Sequence, residues 1–141
     1  MPFSDPLADG PVIQRAAERA LRSGTTLSGV LGMVARERPH LRAGLVLFTY
    51  ANPVVRLGVE AFAARAAEAG VDGVLTLDLP LEEAEPLRCS LDRAGLDTIF
   101  LLSPTTTPER IAMADRLGRG VLYVISRLGV PGARAEVAGG L

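Results

Sequence analysis

The chain has 141 residues, 48% of them hydrophobic and 22% charged, with a formal net charge of −1. That balance excludes the disordered and strongly basic classes, and it gives no reason to expect nucleic acid or an anionic membrane as partner. The length predicts a single domain over residues 1–141, and one cysteine, Cys89, rules out an internal disulfide and fits a reducing compartment, so a cytoplasmic protein is expected.

The chain opens on a loop, PFSDPLADGP, that feeds directly into the helix PVIQRAAERALRSG. Pro11 suits the first helical position and Gly24 the stop, with Val12, Ile13, Ala16, Ala17, Ala20 and Leu21 on one face. A second helix, TTLSGVLGMVARERP, has Thr26 as cap and Pro39 beyond its end. The apolar strand GLVLFTY follows, then the loop TYANP, the helix GVEAFAARAAEAG and the strand GVLTLD. Next come the helix LEEAEPLRCSLDRAG, the strand DTIFLL, a helix on TPERIAMADRLG capped by Thr107, and the strand VLYVIS. The tail, RLGVPGARAEVAGGL, reads as loop. No apolar run reaches the roughly 18 residues of a membrane span, and no signal peptide is expected.

Four strands separated by single helices predict an α/β fold. Strands apolar throughout predict a parallel sheet covered on both faces. The spacing suits either a barrel or a doubly wound sheet, and in both, ligands bind where the strands end. The candidate residues therefore follow the strands: TYANP, DLPLEE, SPTTT and SRLGVPG, with the opening PFSDPLADGP resembling another such loop.

Taken one at a time, these residues have ordinary explanations. Asp9 stands before Gly10-Pro11 at a helix mouth, where an acid caps the helix, although a carboxylate there can also move a proton or steady a cation. Asp78 reads as a turn-initiating Asp. Glu82 and Glu83 suit a helix start. Tyr50 and Tyr123 read as core residues with tethered hydroxyls, Cys89 as a small buried apolar residue, and His40 as exposed. One histidine and one cysteine exclude the usual zinc sets, so no metal is expected. Walker, dinucleotide and nucleophile-elbow motifs are absent.

In combination the loops say more. PFSDPLADGPVIQRA, YANPV, GVDGVLTLDLPLEE, IFLLSPTTT and GVLYVISRLGVPGAR resemble, in order and spacing, the tryptophan synthase alpha chain family. The resemblance implies a partial (βα)8 TIM barrel, strands 3 to 6 with their helices. The chain is expected to begin in the loop after the second barrel strand and to end just past the sixth. It implies a lyase of tryptophan biosynthesis that cleaves indole-3-glycerol phosphate to indole and glyceraldehyde 3-phosphate. The partner implied is a beta chain that carries pyridoxal phosphate, in an alpha2-beta2 assembly, with no cofactor in this chain.

By the same resemblance, Asp9 is the catalytic carboxylate near the indole nitrogen. Phe48, Tyr50, Leu75, Leu77, Leu101 and Tyr123 match residues that line or border the indole pocket. Asp5, Asn52, Pro80 and Glu83 match the face that meets the beta chain. SRLGVPG matches a mobile lid, with Pro131 where the family has a threonine. The family's second catalytic carboxyl, a Glu on the strand before the opening loop, has no equivalent here, and neither do the phosphate-binding loops. The 141 residues alone are therefore expected to be inactive. The alternative expectation is a non-catalytic alpha-like protein that binds a beta chain or another half-barrel.

Overall fold

The computed structural model describes residues 1–4 and 9–126. Among them are helices α1 (Pro11–Arg22), α2 (Leu27–Glu37), α3 (Ala51–Leu57), α4 (Val59–Glu68), α5 (Glu85–Arg93) and α6 (Pro108–Leu117). The strands are β1 (Val46–Thr49), β2 (Gly73–Thr76), β3 (Asp97–Ile99), β4 (Leu101–Leu102) and β5 (Tyr123–Val124). Asp5 and Pro131, with most of the expected lid, lie outside the described residues.

Local chemistry sets the helix boundaries. The Thr26 hydroxyl accepts from the Gly29 N–H at 3.1 Å at the start of α2, and Thr107 does the same for Arg110 at 3.4 Å at the start of α6. α4 and α5 end alike, in the related runs AGVD and AGLD. Gly70 and Gly95 turn the chain with φ of 84° and 75°, and the next residue bonds back into the helix, Val71 to Ala66 and Leu96 to Leu91. Both of those side chains are buried, so each helix is closed by a left-handed glycine and an apolar contact.

β1, β2 and β3 pair in parallel, with Phe48 opposite Leu75 and Leu75 opposite Ile99. β4 and β5 pair in parallel, with Leu101 opposite Tyr123. The expected strand DTIFLL is thus two short strands either side of Phe100, one serving β2 and one serving β5. The backbone bonds Arg119 to Thr98, Tyr123 to Phe100 and Ile125 to Leu102 carry the pairing past that break. The order is β1, β2, β3/β4, β5.

Side chains alternate across this sheet. Leu47 and Val74 face the helices and join Leu31, Val54, Phe62 and Leu91 in the main core. Phe100 and Leu102 face α6 and pack with Leu81, Ala84 and Ala114. On the other side the Phe48 and Tyr123 rings meet edge to face, with centroids 5.6 Å apart. In a flat sheet β1 and β5, three intervals apart, would be separated by about 14 Å. The contact therefore requires a strongly concave sheet, the curvature of a barrel wall.

Several sequence expectations are corrected. The strands are not covered on both faces, because the helices pack on the convex side only and Val46, Phe48 and Tyr123 on the concave side remain exposed. TYANP is not simply a loop, since Ala51 to Leu57 form α3. The helix expected from Leu81 is a short 3-10 turn, Leu81–Glu83, followed by α5, whose first turn contains Pro86. The apolar face of α1 is largely open: only Ala17 is buried, while Val12, Ile13 and Leu21 are exposed. Cys89 is half-buried, not core; its thiol donates to Glu85 Oε1 at 3.3 Å.

Candidate active site

The strand alternation sorts the candidate residues. Phe48 and Tyr50 are two apart at the end of β1, and Leu75 and Leu77 are two apart at the end of β2. Leu77 N–H donates to Thr49 O at 2.9 Å, which continues the β1–β2 ladder beyond the last paired residues. Leu101 and Tyr123 are register partners. Period two therefore puts Phe48, Tyr50, Leu75, Leu77, Leu101 and Tyr123 on the concave face, toward the carboxyl ends of the strands. Leu75 and Ile99 are buried on the inner strands, between the strands that carry Phe48 and Tyr123.

The opening segment crosses the mouth of this face. Phe3 packs against Tyr50 with ring centroids 5.1 Å apart. Tyr50 is buried, and its hydroxyl donates to Asp9 Oδ2 at 3.2 Å. Asp9 does not cap α1. The capping position is Gly10, in extended conformation and with no side-chain cap bond. What α1 does for Asp9 is hold its backbone: Gln14 Nε2 donates to Asp9 O at 2.8 Å. The carboxylate is thus aimed at Tyr50, across the chain from its own helix.

The loop after β2 contributes a second long-range contact. Asp78 Oδ1 accepts the Ala51 N–H at 2.7 Å. Ala51 is the first residue of α3, whose capping position is Tyr50, a residue that makes no side-chain cap bond. Asp78 therefore caps α3 from across the sheet. Glu82 pairs with Arg110 of α6. Its own backbone N–H, then that guanidinium, hold the Glu82 carboxyl below the usual carboxylate range. A cleft of about 420 Å³ opens between these loops, lined by Leu77, Asp78 and Leu101 together with Thr105, Thr106 and Arg110. Ser103, Thr105 and Thr106 form a turn held by mutual hydroxyl contacts of 3.0 and 3.2 Å.

Of the expected partner-facing residues, Asn52, Pro80 and Glu83 are exposed at this same end. Asn52 lies in the first turn of α3, and Pro80 and Glu83 at the 3-10 turn after β2. The roles of Asp78 and Gln14 were not foreseen. An Asp closing a strand was the visible signal for Asp78, but nothing in the sequence links it to a residue 27 positions away. Among the described residues, no group of His, Cys, Asp or Glu is arranged to hold a metal, and no helix is long and apolar enough to cross a membrane.

Comparison with known proteins gives one consistent result. A family model described as "Tryptophan synthase alpha chain" matches residues 1–141. The alpha chain of Geobacter sp. strain M21 is 51% identical over 138 residues, 98% of this chain and 52% of the relative. That of Chromobacterium violaceum is 54% identical over 134 residues, 94% of this chain and 51% of the relative. Among solved structures, tryptophan synthase subunit alpha from Legionella pneumophila aligns with a TM-score of 0.85 at 43% identity, over 89% of this chain and 48% of its own. The tryptophan synthase complex from Pyrococcus furiosus aligns with a TM-score of 0.83 at 41% identity, over 87% of this chain and 51% of its own. The chain spans about half the length of the curated relatives it matches, and its parallel, curved sheet is about half of their TIM barrel.

Proposed function

We propose a function from one premise, that the chain belongs to the tryptophan synthase alpha chain family: residues 1–141 supply the indole-binding wall and one catalytic carboxylate of an indole-3-glycerol phosphate lyase. The observation that carries this reading is the Asp9 carboxylate, unused as a helix cap and held on Tyr50 at the mouth of the concave apolar face.

The reaction is a retro-aldol cleavage. Protonation at indole C3 makes the ring an iminium-like acceptor. Loss of the proton from the hydroxyl next to the ring then breaks the C–C bond, giving indole and glyceraldehyde 3-phosphate. Positive charge develops at the ring nitrogen, and a carboxylate beside that N–H stabilises it as it forms. Asp9 is assigned that role. Phe48, Leu75, Leu101 and Tyr123 would hold the ring against the sheet, with Leu77 and Tyr50 at the rim. These steps are proton transfers, so the chain needs no cofactor of its own.

Of the acids in the loop after β2, Asp78 is engaged with Ala51 and Glu82 with Arg110, while Glu83 is exposed on the surface assigned to the partner. A proton-shuttling carboxyl must therefore come from outside this set. The 141-residue polypeptide is accordingly expected to release no indole above an Asp9→Asn control. Mixed with a polypeptide carrying the remaining strands of the Legionella relative, it should release indole, and the Asp9→Asn mixture should not. Equal activity in both mixtures would overturn the assignment of Asp9.

The exposure of Asn52, Pro80 and Glu83 at one end favours a second reading, in which this surface docks a pyridoxal-phosphate-bearing beta chain whether or not the chain turns over substrate. Co-purification with a beta chain, lost on Asn52→Arg, would support it. Failure of the unaltered chain to bind would count against it.

A further inference from the structure

We propose that Tyr50 is a positioning residue for Asp9, and that its hydroxyl selects ligands bearing a ring N–H. The inference rests on the reading of Asp9 just given and assigns it a second residue. A carboxylate has two oxygens and about four acceptor sites. Tyr50 occupies Asp9 Oδ2 at 3.2 Å, and Gln14 fixes the backbone of Asp9 at 2.8 Å. The carboxylate is therefore held at Oδ2 and its backbone at the carbonyl. The Met1 ammonium acts on Asp9 only through its charge. Among the described residues no hydrogen bond reaches Oδ1, which is the oxygen that can meet a donor on the ligand.

Tyr50 is itself held by its surroundings. It is 3% exposed, it packs against Phe3, and it directly precedes α3, whose first N–H is tied to Asp78. A buried tyrosine needs a partner for its hydroxyl, and here that partner is a charged acceptor, which makes the bond stronger than one between neutral groups. Preorganisation of this kind matters because a carboxylate free to rotate loses part of its hydrogen bond to the ligand in ordering itself. Tyr50 shares the concave face with Phe48, so the oriented carboxylate lies beside the apolar surface that would take the ring.

The discriminating ligands are indole and benzofuran. They have the same shape, but benzofuran presents an oxygen where indole presents N–H. Ring packing contributes equally to both, so the ratio of their dissociation constants isolates the contact with Asp9. The 141-residue chain, titrated by NMR, is expected to prefer indole by about tenfold, the scale of one hydrogen bond to a charged group. Asp9→Ala should abolish the preference. Tyr50→Phe, which keeps the ring and removes only the hydroxyl, should reduce it to about threefold or less, with indole binding weakened more than benzofuran binding.

A Tyr50→Phe chain that keeps the full preference, while Asp9→Ala loses it, would overturn the positioning role and leave the reading of Asp9 intact. Equal weakening of both ligands by Tyr50→Phe would show a packing role only and would also overturn the inference. An unaltered chain that does not distinguish the ligands, or binds neither, would overturn the reading of Asp9 and the inference with it.

Discussion

Removal of the Asp78 carboxylate should loosen a helix on another strand's loop. α3 has seven residues and no side-chain cap of its own. Its first N–H donates to Asp78 Oδ1 at 2.7 Å, a short bond for an N–H and a carboxylate oxygen. Loss of a cap typically costs about 1 kcal/mol, within a range of roughly 0.5–2. Asp78 is exposed, and the orphaned N–H can turn to water, so about 1 kcal/mol is the expected loss for Asp78→Ala. Asp78→Asn keeps an acceptor oxygen and should cost about half as much. Urea titration at neutral pH measures the loss as a shift in midpoint at constant slope. Hydrogen exchange of the Ala51 amide gives the local effect, which should exceed the exchange change in β2. Because Tyr50 directly precedes α3, the same substitution should weaken the preference for indole over benzofuran. An Asp78→Ala chain within about 0.2 kcal/mol of the original, with Ala51 exchange unchanged, would refute the idea that Asp78 caps α3.

Gly70→Ala should destabilise by about 2 kcal/mol: a left-handed φ costs a side-chain-bearing residue roughly 1–2 kcal/mol. In addition, the new Cβ would lie 2.6 Å from Arg38 Cγ and push that side chain from Ala43 O and Asp72. Thermal or urea unfolding checks this, and Arg38→Ala should recover only the steric part. A third expectation concerns pH. Arg88 holds the exposed Glu85 carboxyl low, with help from the Cys89 thiol, and Glu85 in turn pushes Cys89 up. Any stability from Glu85 is thus present above its unfolded pKa and lost as pH falls through the lower folded value. Any stability from the protonated Cys89 is present below its unfolded pKa and lost as pH rises through the higher folded one. Iodoacetamide should therefore alkylate Cys89 more slowly at pH 8 than it does a free cysteine, and Glu85→Gln should raise the rate; an unchanged rate would contradict the contact.

The alternation of strands and helices, the caps at Thr26 and Thr107 and the closures at Gly70 and Gly95 were legible from the sequence, because each depends on residues within about five positions of one another. The family was legible too, from loop motifs in order. The state of Asp9 was not. Its neighbours Gly10 and Pro11 advertise a helix cap, and only the packing of the opening segment on β1 brings it to Tyr50, 41 positions away. Asp78 reads as a turn residue until parallel pairing of β1 and β2 sets its loop beside Ala51. Apolar strands suggest burial on both faces, yet a curved sheet with helices on its convex side leaves the outer strands exposed on the concave face and lets Phe48 meet Tyr123. Sequence alone settles what adjacent residues do to one another's backbone. Register and curvature, which are properties of the whole sheet, decide which side chains from distant segments share a face.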